Sequence, residues 1–170
     1  MEIFDLVTED DSAIVGKAPR EECHGNPFLI HRAVRVMVFH PDGRLLLQKR
    51  SLNKKVQPGK WDAAAGGHVA SGETLSQAVK RELAEEIGIV AKAGELERFY
   101  FIKVRNSFES ENITVYRMTH AGPFVMQEEE LSDLRFFSFA ELKKLLAETP
   151  EIFTPLLQRE LEEHLLPMQA

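Results

Sequence analysis

Residues 67–89 read GHVASGETLSQAVKRELAEEIGI, a glycine-bounded run that passes from loop to helix and back to loop. Ser71-Gly72-Glu73 introduces a helix from about Thr74 to Ile87, and Gly88 supplies a residue suited to a left-handed cap. At about 100° per residue, Leu75, Val79, Leu83 and Ile87 form one apolar stripe, with Glu82, Glu85 and Glu86 on the arc beside it. Two carboxylates about 4 Å apart repel by roughly 4 kcal/mol at an effective dielectric of 20. A hard cation reverses that sign, and an oxygen-only donor set beside phosphate favours magnesium, or manganese in its place, over zinc. From the helix alone a second reading stays open, a solvated face on which Lys80 and Arg81 offset the glutamates.

Outward from this run the chain is a succession of short elements without repeats or long linkers. Ile3 to Val7 and Ala13 to Gly16, with a polar turn at Thr8 to Ser12, form a hairpin. Ala33 to Phe39 and Arg44 to Arg50 form another across His40-Pro41-Asp42-Gly43. A polar loop, Ser51 to Lys60, leads into the helix region. Further strands are expected at Phe99 to Val104, Ile113 to Thr119 and Leu134 to Ser138, and helices at Ala140 to Ala147 and Pro155 to Leu165. Strands on both sides of a central helix, with more helix at the end, predict an α/β fold around a mixed sheet, one domain spanning residues 1–170.

Composition bounds the function. A chain of 170 residues with 44% hydrophobic and 28% charged side chains can bury a core. A net charge of −6 argues against a general nucleic-acid binder, so an anionic substrate must be recruited locally. Cys23 is the one cysteine and cannot close an intramolecular disulfide; the acidic start differs from a signal peptide, and no apolar run approaches the roughly 20 residues of a membrane span. The expectation is a cytoplasmic protein without a membrane partner. The local positive patch is Lys49, Arg50, Lys54, Lys55 and Lys60, with no acidic residue among them. It reads either as a solubilising loop or as a phosphate grip, with Arg50, Lys54 and Lys55 taking a substrate's phosphates. Trp61 reads as packing, with stacking of a base or isoprenoid as the alternative; Phe136, Phe137 and Phe139 read as packing, and Glu128-Glu129-Glu130 as an exposed face, with help in placing water or metal as the alternative.

The spacing from Gly67 through Glu73, Arg81-Glu82-Leu83, Glu85-Glu86 and Gly88-Ile89 resembles the Nudix box, with every fixed position filled. That resemblance implies an α/β/α sandwich and hydrolysis of a diphosphate linkage. It implies that Glu82, Glu85 and Glu86 hold magnesium and that Glu73 supports this metal set from the start of the helix. Arg81 would orient a glutamate, Glu82 or Glu85 would act as general base, Gly67 would let the backbone approach the metal, and Gly88 would end the helix.

The segment Leu45–Trp61, LLLQKRSLNKKVQPGKW, followed by Gly67-His68, resembles type I isopentenyl-diphosphate isomerases and their hydrolase relatives. In those isomerases three histidines and two glutamates bind a metal, and His24, His31, His68, Glu109 and Glu111 stand at the matching places. The isomerase's cysteine before the Gly-His pair is replaced by Gly66 and the box is intact, both of which favour a hydrolase; the acidic helix beside the basic loop leads to the expectation that it acts on a nucleoside diphosphate or a nucleoside diphosphate linked to another group. The isomerase and a non-catalytic metabolite sensor are the competing expectations. A homodimer has no reliable short signature and stays open.

Overall fold

The computed structural model describes residues 1–169. In chain order the elements are β1 (Ile3–Val7), β2 (Ile14–Pro19), α1 (Arg20–Cys23), β3 (Ile30–Phe39), β4 (Leu45–Arg50), β5 (Trp61–Ala63) and β6 (Ala65–His68). There follow α2 (Leu75–Ile87), β7 (Glu97–Arg105), β8 (Ser110–Thr119), β9 (Leu131–Phe137), α3 (Phe139–Glu148) and α4 (Pro155–Glu160). This is the α/β class expected. The expected strands and helices are present with ends moved by a few residues, while α1, β5 and β6 are too short to leave a periodic signal. The last expected helix, from Pro155, changes to a π-type turn over Leu161–Leu165. No helix among the described residues is long and apolar enough to cross a membrane.

Two compact units divide the described residues: 1–36, 66–83 and 90–117, and 37–65, 84–89 and from 118 onward. In the first, β1 and β2 form an antiparallel hairpin with Phe4 opposite Ala18. Phe4, Ala18 and Cys23 make a small buried cluster with Leu6 and Leu29 against it. β1 meets β3 at Leu6 and His31, and β7 pairs antiparallel with β8. Alternation in β8 is overridden at Ile113, Thr114, Val115 and Tyr116, which are all buried. Val34 and Val36 of β3 and Ala78, Val79 and Leu83 of α2 are fully buried. Each such valine or leucine side chain contributes roughly 1.5–3 kcal/mol of transfer free energy, and the Ala78 methyl less than about 1.

In the second unit β4 is the inner strand. It pairs antiparallel with the end of β3 (Val38 with Leu46), with β5 (Leu47 with Ala63) and with β9 (Leu47 with Arg135). Leu45, Leu46 and Leu47 are all buried, as a strand covered on both faces requires. Phe137, Leu142, Phe153, Leu157, Leu161 and Leu165 complete this core. Ser138 caps α3 by accepting from the Glu141 amide, and Thr154 caps α4, whose first residue is Pro155. The Trp61 ring meets Phe137 edge-on at 5.0 Å, and the Arg135 guanidinium lies 3.8 Å from the Phe137 centroid. The same guanidinium lies 5.7 Å from the Trp61 centroid, so Trp61 is a packing residue in this unit.

Candidate active site and metal centre

The turn before α2 is built by side chains that the helical pattern alone does not reveal. Asp5 on β1 accepts from the Ser71 hydroxyl at 2.7 Å and from the Gly72 amide at 3.0 Å. Those two bonds, the Gly72 amide first, hold the Asp5 carboxyl below its usual range. Gly72 has φ +81°, which fits this turn at no steric cost. Thr74 and Gln77 then close a reciprocal cap: the Gln77 amide donates to Thr74 Oγ1 at 3.1 Å, and the Thr74 amide to Gln77 Oε1 at 2.9 Å. At the other end Gly88 takes φ +70°, and the carbonyls of Glu86 and Ile87 accept from the amides of Gln127 and Val125, both at 3.0 Å. A Cβ at Gly88 would stand 2.8 Å from Val125 Cβ, so glycine is needed there for space as well as for backbone.

Arg81 organises the acidic side chains. Its Nε and Nη2 donate to the two Glu73 oxygens at 2.8 and 3.0 Å, its Nη1 donates to Glu82 Oε1 at 2.7 Å, and Nη2 also donates to the His68 carbonyl at 3.1 Å. Glu73 accepts in addition from the Ala70 amide at 2.9 Å. The bond from Arg81 is the main reason the Glu73 carboxyl sits below its ordinary value, and the two glutamates in turn keep the guanidinium charged. Gly67 gives Glu82 its place: a Cβ there would lie 2.2 Å from Glu82 Oε1 and 2.4 Å from its Cδ. The carboxylate therefore rests in the space a side chain at 67 would fill. Along α2, Glu85 and Glu86 follow Glu82 at three and four residues, the spacing that stacks side chains on one face. Glu86 is half-buried and Glu85 exposed. These are the carboxylates singled out in the sequence.

A second group gathers entirely within the first unit. His24 caps α1, His31 lies on β3, His68 ends β6, Glu109 precedes β8 and Glu111 lies within it. One ligand atom from each of His24, His31, His68 and Glu109 lies within 4.8 Å of the others. His24 Nε2 is 3.2 Å from Glu109 Oε2, His68 Nε2 is 3.4 Å from Glu111 Oε2, and His31 Nε2 is 3.7 Å from Glu111 and 3.9 Å from Glu109. Although the carboxylates are close, His24 Nε2 and both ring nitrogens of His31 are buried without an aligned hydrogen bond. Burial pushes the Glu109 carboxyl up to about 7, with Glu111 adding to the shift, and burial lowers His31 to about 4. The Phe4 ring stacks on His31 and His68 at 5.1 and 4.8 Å, and Phe108 covers His24 at 5.1 Å. Sequence reading missed both aromatic walls, because Phe4 reads there as one more apolar strand residue and Phe108 as a loop residue.

The basic loop belongs to the second unit. Arg50 Nε donates to the Val56 carbonyl at 3.0 Å, Lys54 is ion-paired with Glu130, and Lys55 is exposed. Glu130 thus leaves the category of a merely exposed face.

Comparison with known proteins bears on the family and the fold. The NUDIX domain model matches residues 29–157. An uncharacterised Nudix hydrolase of Pseudomonas aeruginosa is 38% identical over 136 residues, 79% of this chain and 78% of that protein. An isopentenyl-diphosphate Delta-isomerase of Nocardia farcinica is 34% identical over 166 residues, 93% of this chain and 91% of the other. A crystal structure of a Deinococcus radiodurans protein superposes with a TM-score of 0.79 at 24% identity, covering 95% of this chain and 98% of that one, which supports the fold. The chain belongs to the NUDIX family and is a pyrophosphohydrolase.

Proposed function

We propose that this enzyme, working as a single cytoplasmic domain, is magnesium-dependent and cleaves the diphosphate linkage of a nucleoside diphosphate joined to another group. The observation that carries the reading is the Glu82 carboxylate, tied to Arg81 at 2.7 Å and seated where Gly67 has no side chain. Glu82, Glu85 and Glu86 would hold the ion, an oxygen-only set suited to magnesium, with manganese able to substitute. When bound, the ion neutralises non-bridging phosphate oxygens and acidifies a water. Glu82 or Glu85 would take the proton of the attacking water as general base. Arg81 keeps Glu82 in one orientation, and Glu73 acts through Arg81 by fixing two edges of the guanidinium. Arg50, Lys54 and Lys55 receive the substrate's phosphates.

The test is a screen of nucleoside di- and triphosphates, nucleotide sugars and dinucleotides with magnesium, with products identified by mass. Glu86→Gln is expected to abolish turnover of whatever substrate emerges; full activity in that variant overturns the assignment.

The histidine cluster favours one addition. Its buried, unbonded imidazole nitrogens and closely spaced carboxylates fit a second divalent cation bound by His24, His31, His68, Glu109 and Glu111. Metal content of His68→Ala against the unsubstituted protein checks this, and unchanged stoichiometry removes it. The isomerase reading shares that cluster but meets Gly66, where an added Cβ would lie 3.0 Å from the Val34 carbonyl oxygen and 3.2 Å from Arg35 Cγ. A cysteine side chain at 66 requires the neighbouring backbone to give way. Allylic product from isopentenyl diphosphate without phosphate release is the result that would restore it.

A further inference from the structure

The segment Phe124–Leu131 is bonded at one end to α2 and at the other to the basic loop, all within the second unit. At the helix end the amides of Val125 and Gln127 donate to the carbonyls of Ile87 and Glu86, each at 3.0 Å. A tight turn follows, in which the amides of Glu130 and Leu131 both donate to the Gln127 carbonyl, at 2.9 and 3.0 Å. At the loop end the Ser51 amide donates to the Glu130 carbonyl at 3.0 Å, and the Glu130 carboxylate accepts from Lys54 Nζ. One short segment therefore sets the place of Lys54 relative to the last turn of the carboxylate helix.

The rest of the loop is fixed from within. The Arg50 amide donates to the Lys60 carbonyl at 2.8 Å, the Gly59 amide donates back to the Arg50 carbonyl at 3.0 Å, and the Lys54 amide donates to the Ser51 carbonyl at 3.1 Å. The Arg50 guanidinium is turned onto the loop's own Val56 carbonyl. By contrast, Lys54 is oriented by a residue outside the loop. A lysine side chain carries about 2 kcal/mol of rotamer entropy, which a phosphate contact would otherwise have to remove. An ammonium has three donors, so one bond to Glu130 leaves two for a phosphate.

We infer that Glu130 is a positioning residue for phosphate binding: it holds the Lys54 ammonium in place relative to Glu86 through the Val125–Glu130 segment. The inference rests on the reading that Lys54 receives a substrate phosphate. Charge alone predicts the opposite sign, since removing an anion beside Lys54 strengthens its attraction for phosphate. That difference makes the inference testable.

The probe is inorganic pyrophosphate with magnesium, its dissociation constant measured by titration calorimetry on the full chain for the unsubstituted protein, Glu130→Gln, Lys54→Met and the double variant. Glu130→Gln is isosteric and half-exposed, and thermal melting checks that each variant is folded. The expected result is binding weakened about three- to tenfold by Glu130→Gln, weakened by Lys54→Met, and weakened no further when Glu130→Gln is added to Lys54→Met. Equal or tighter binding by Glu130→Gln overturns the inference, as does an equal additional loss in the Lys54→Met background. If Lys54→Met itself binds as the unsubstituted protein does, or that protein does not bind pyrophosphate, the phosphate role of the loop fails first and the inference falls with it.

Discussion

Around Arg81 the carboxylates of Glu73 and Glu82 share one guanidinium through bonds of 2.7 to 3.0 Å. Around His31 two carboxylates face three imidazoles at 3.2 to 3.9 Å, and His24 Nε2 and both His31 nitrogens lack an aligned bond. The first group carries its own countercharge, so its geometry holds before any ion binds. The second is assembled by the fold against desolvation, as the raised Glu109 and lowered His31 record. A cation bound at the first group, as proposed, would serve chemistry more than folding. At the second it would offset a cost that the fold already bears, and its removal would read out as stability.

The sharpest way to break this contrast is Gly67→Ala. The added methyl collides with the flexible end of Glu82 and not with backbone, so the protein melts near its original temperature while the carboxylate moves by an ångström or more. Activity is expected to fall by about a hundredfold; unchanged kcat/KM would show that Glu82 has no fixed place in catalysis. Arg81→Lys keeps the charge but loses the bidentate grip on Glu73, and steady-state kinetics should show a loss of about ten- to a hundredfold.

At the other cluster the effect is thermal. At a transition-metal concentration about a hundredfold above its Kd, chelation should remove about 2.7 kcal/mol, or roughly 5–10 °C of Tm. In His68→Ala the chelator should have little effect, and differential scanning calorimetry compares the two. The smallest effect is at Asp5, whose carboxyl titrates below its ordinary value of 3.8. A depressed carboxyl stabilises the fold above its unfolded pKa, and that contribution fades as pH falls through the folded value. Asp5→Asn should thus lose about 1 kcal/mol at neutral pH, and its stability should fall less steeply below pH 4 in acid-unfolding curves.

Much of this was legible in the sequence because a helix imposes a strict period. Of the stripe Leu75, Val79, Leu83 and Ile87, the last three are fully buried while Leu75, at the helix start, is half-buried, and Glu82, Glu85 and Glu86 stand beside it on α2. The hairpin around His40–Gly43 was legible because turn residues punctuate two β-branched and leucine-rich runs. What could not be read depends on distant pairs. Asp5 and Ser71 meet across 66 positions, and Lys54 and Glu130 across 76. α1 is a single turn stabilised by tertiary packing of Cys23, too short to show a period. The histidines were found through resemblance; no local spacing rule links His24, His31 and His68, which come together from the end of α1, from β3 and from β6, with Phe4 of β1 against them.

The most direct measurement is a count of bound Mn2+ by electron paramagnetic resonance on metal-stripped protein, comparing the unsubstituted chain with Glu86→Gln and with His68→Ala. The account predicts two classes of site, one lost with Glu86→Gln along with turnover, the other lost with His68→Ala along with thermal stabilisation. A Glu86→Gln protein that retains both classes and full hydrolysis would contradict it.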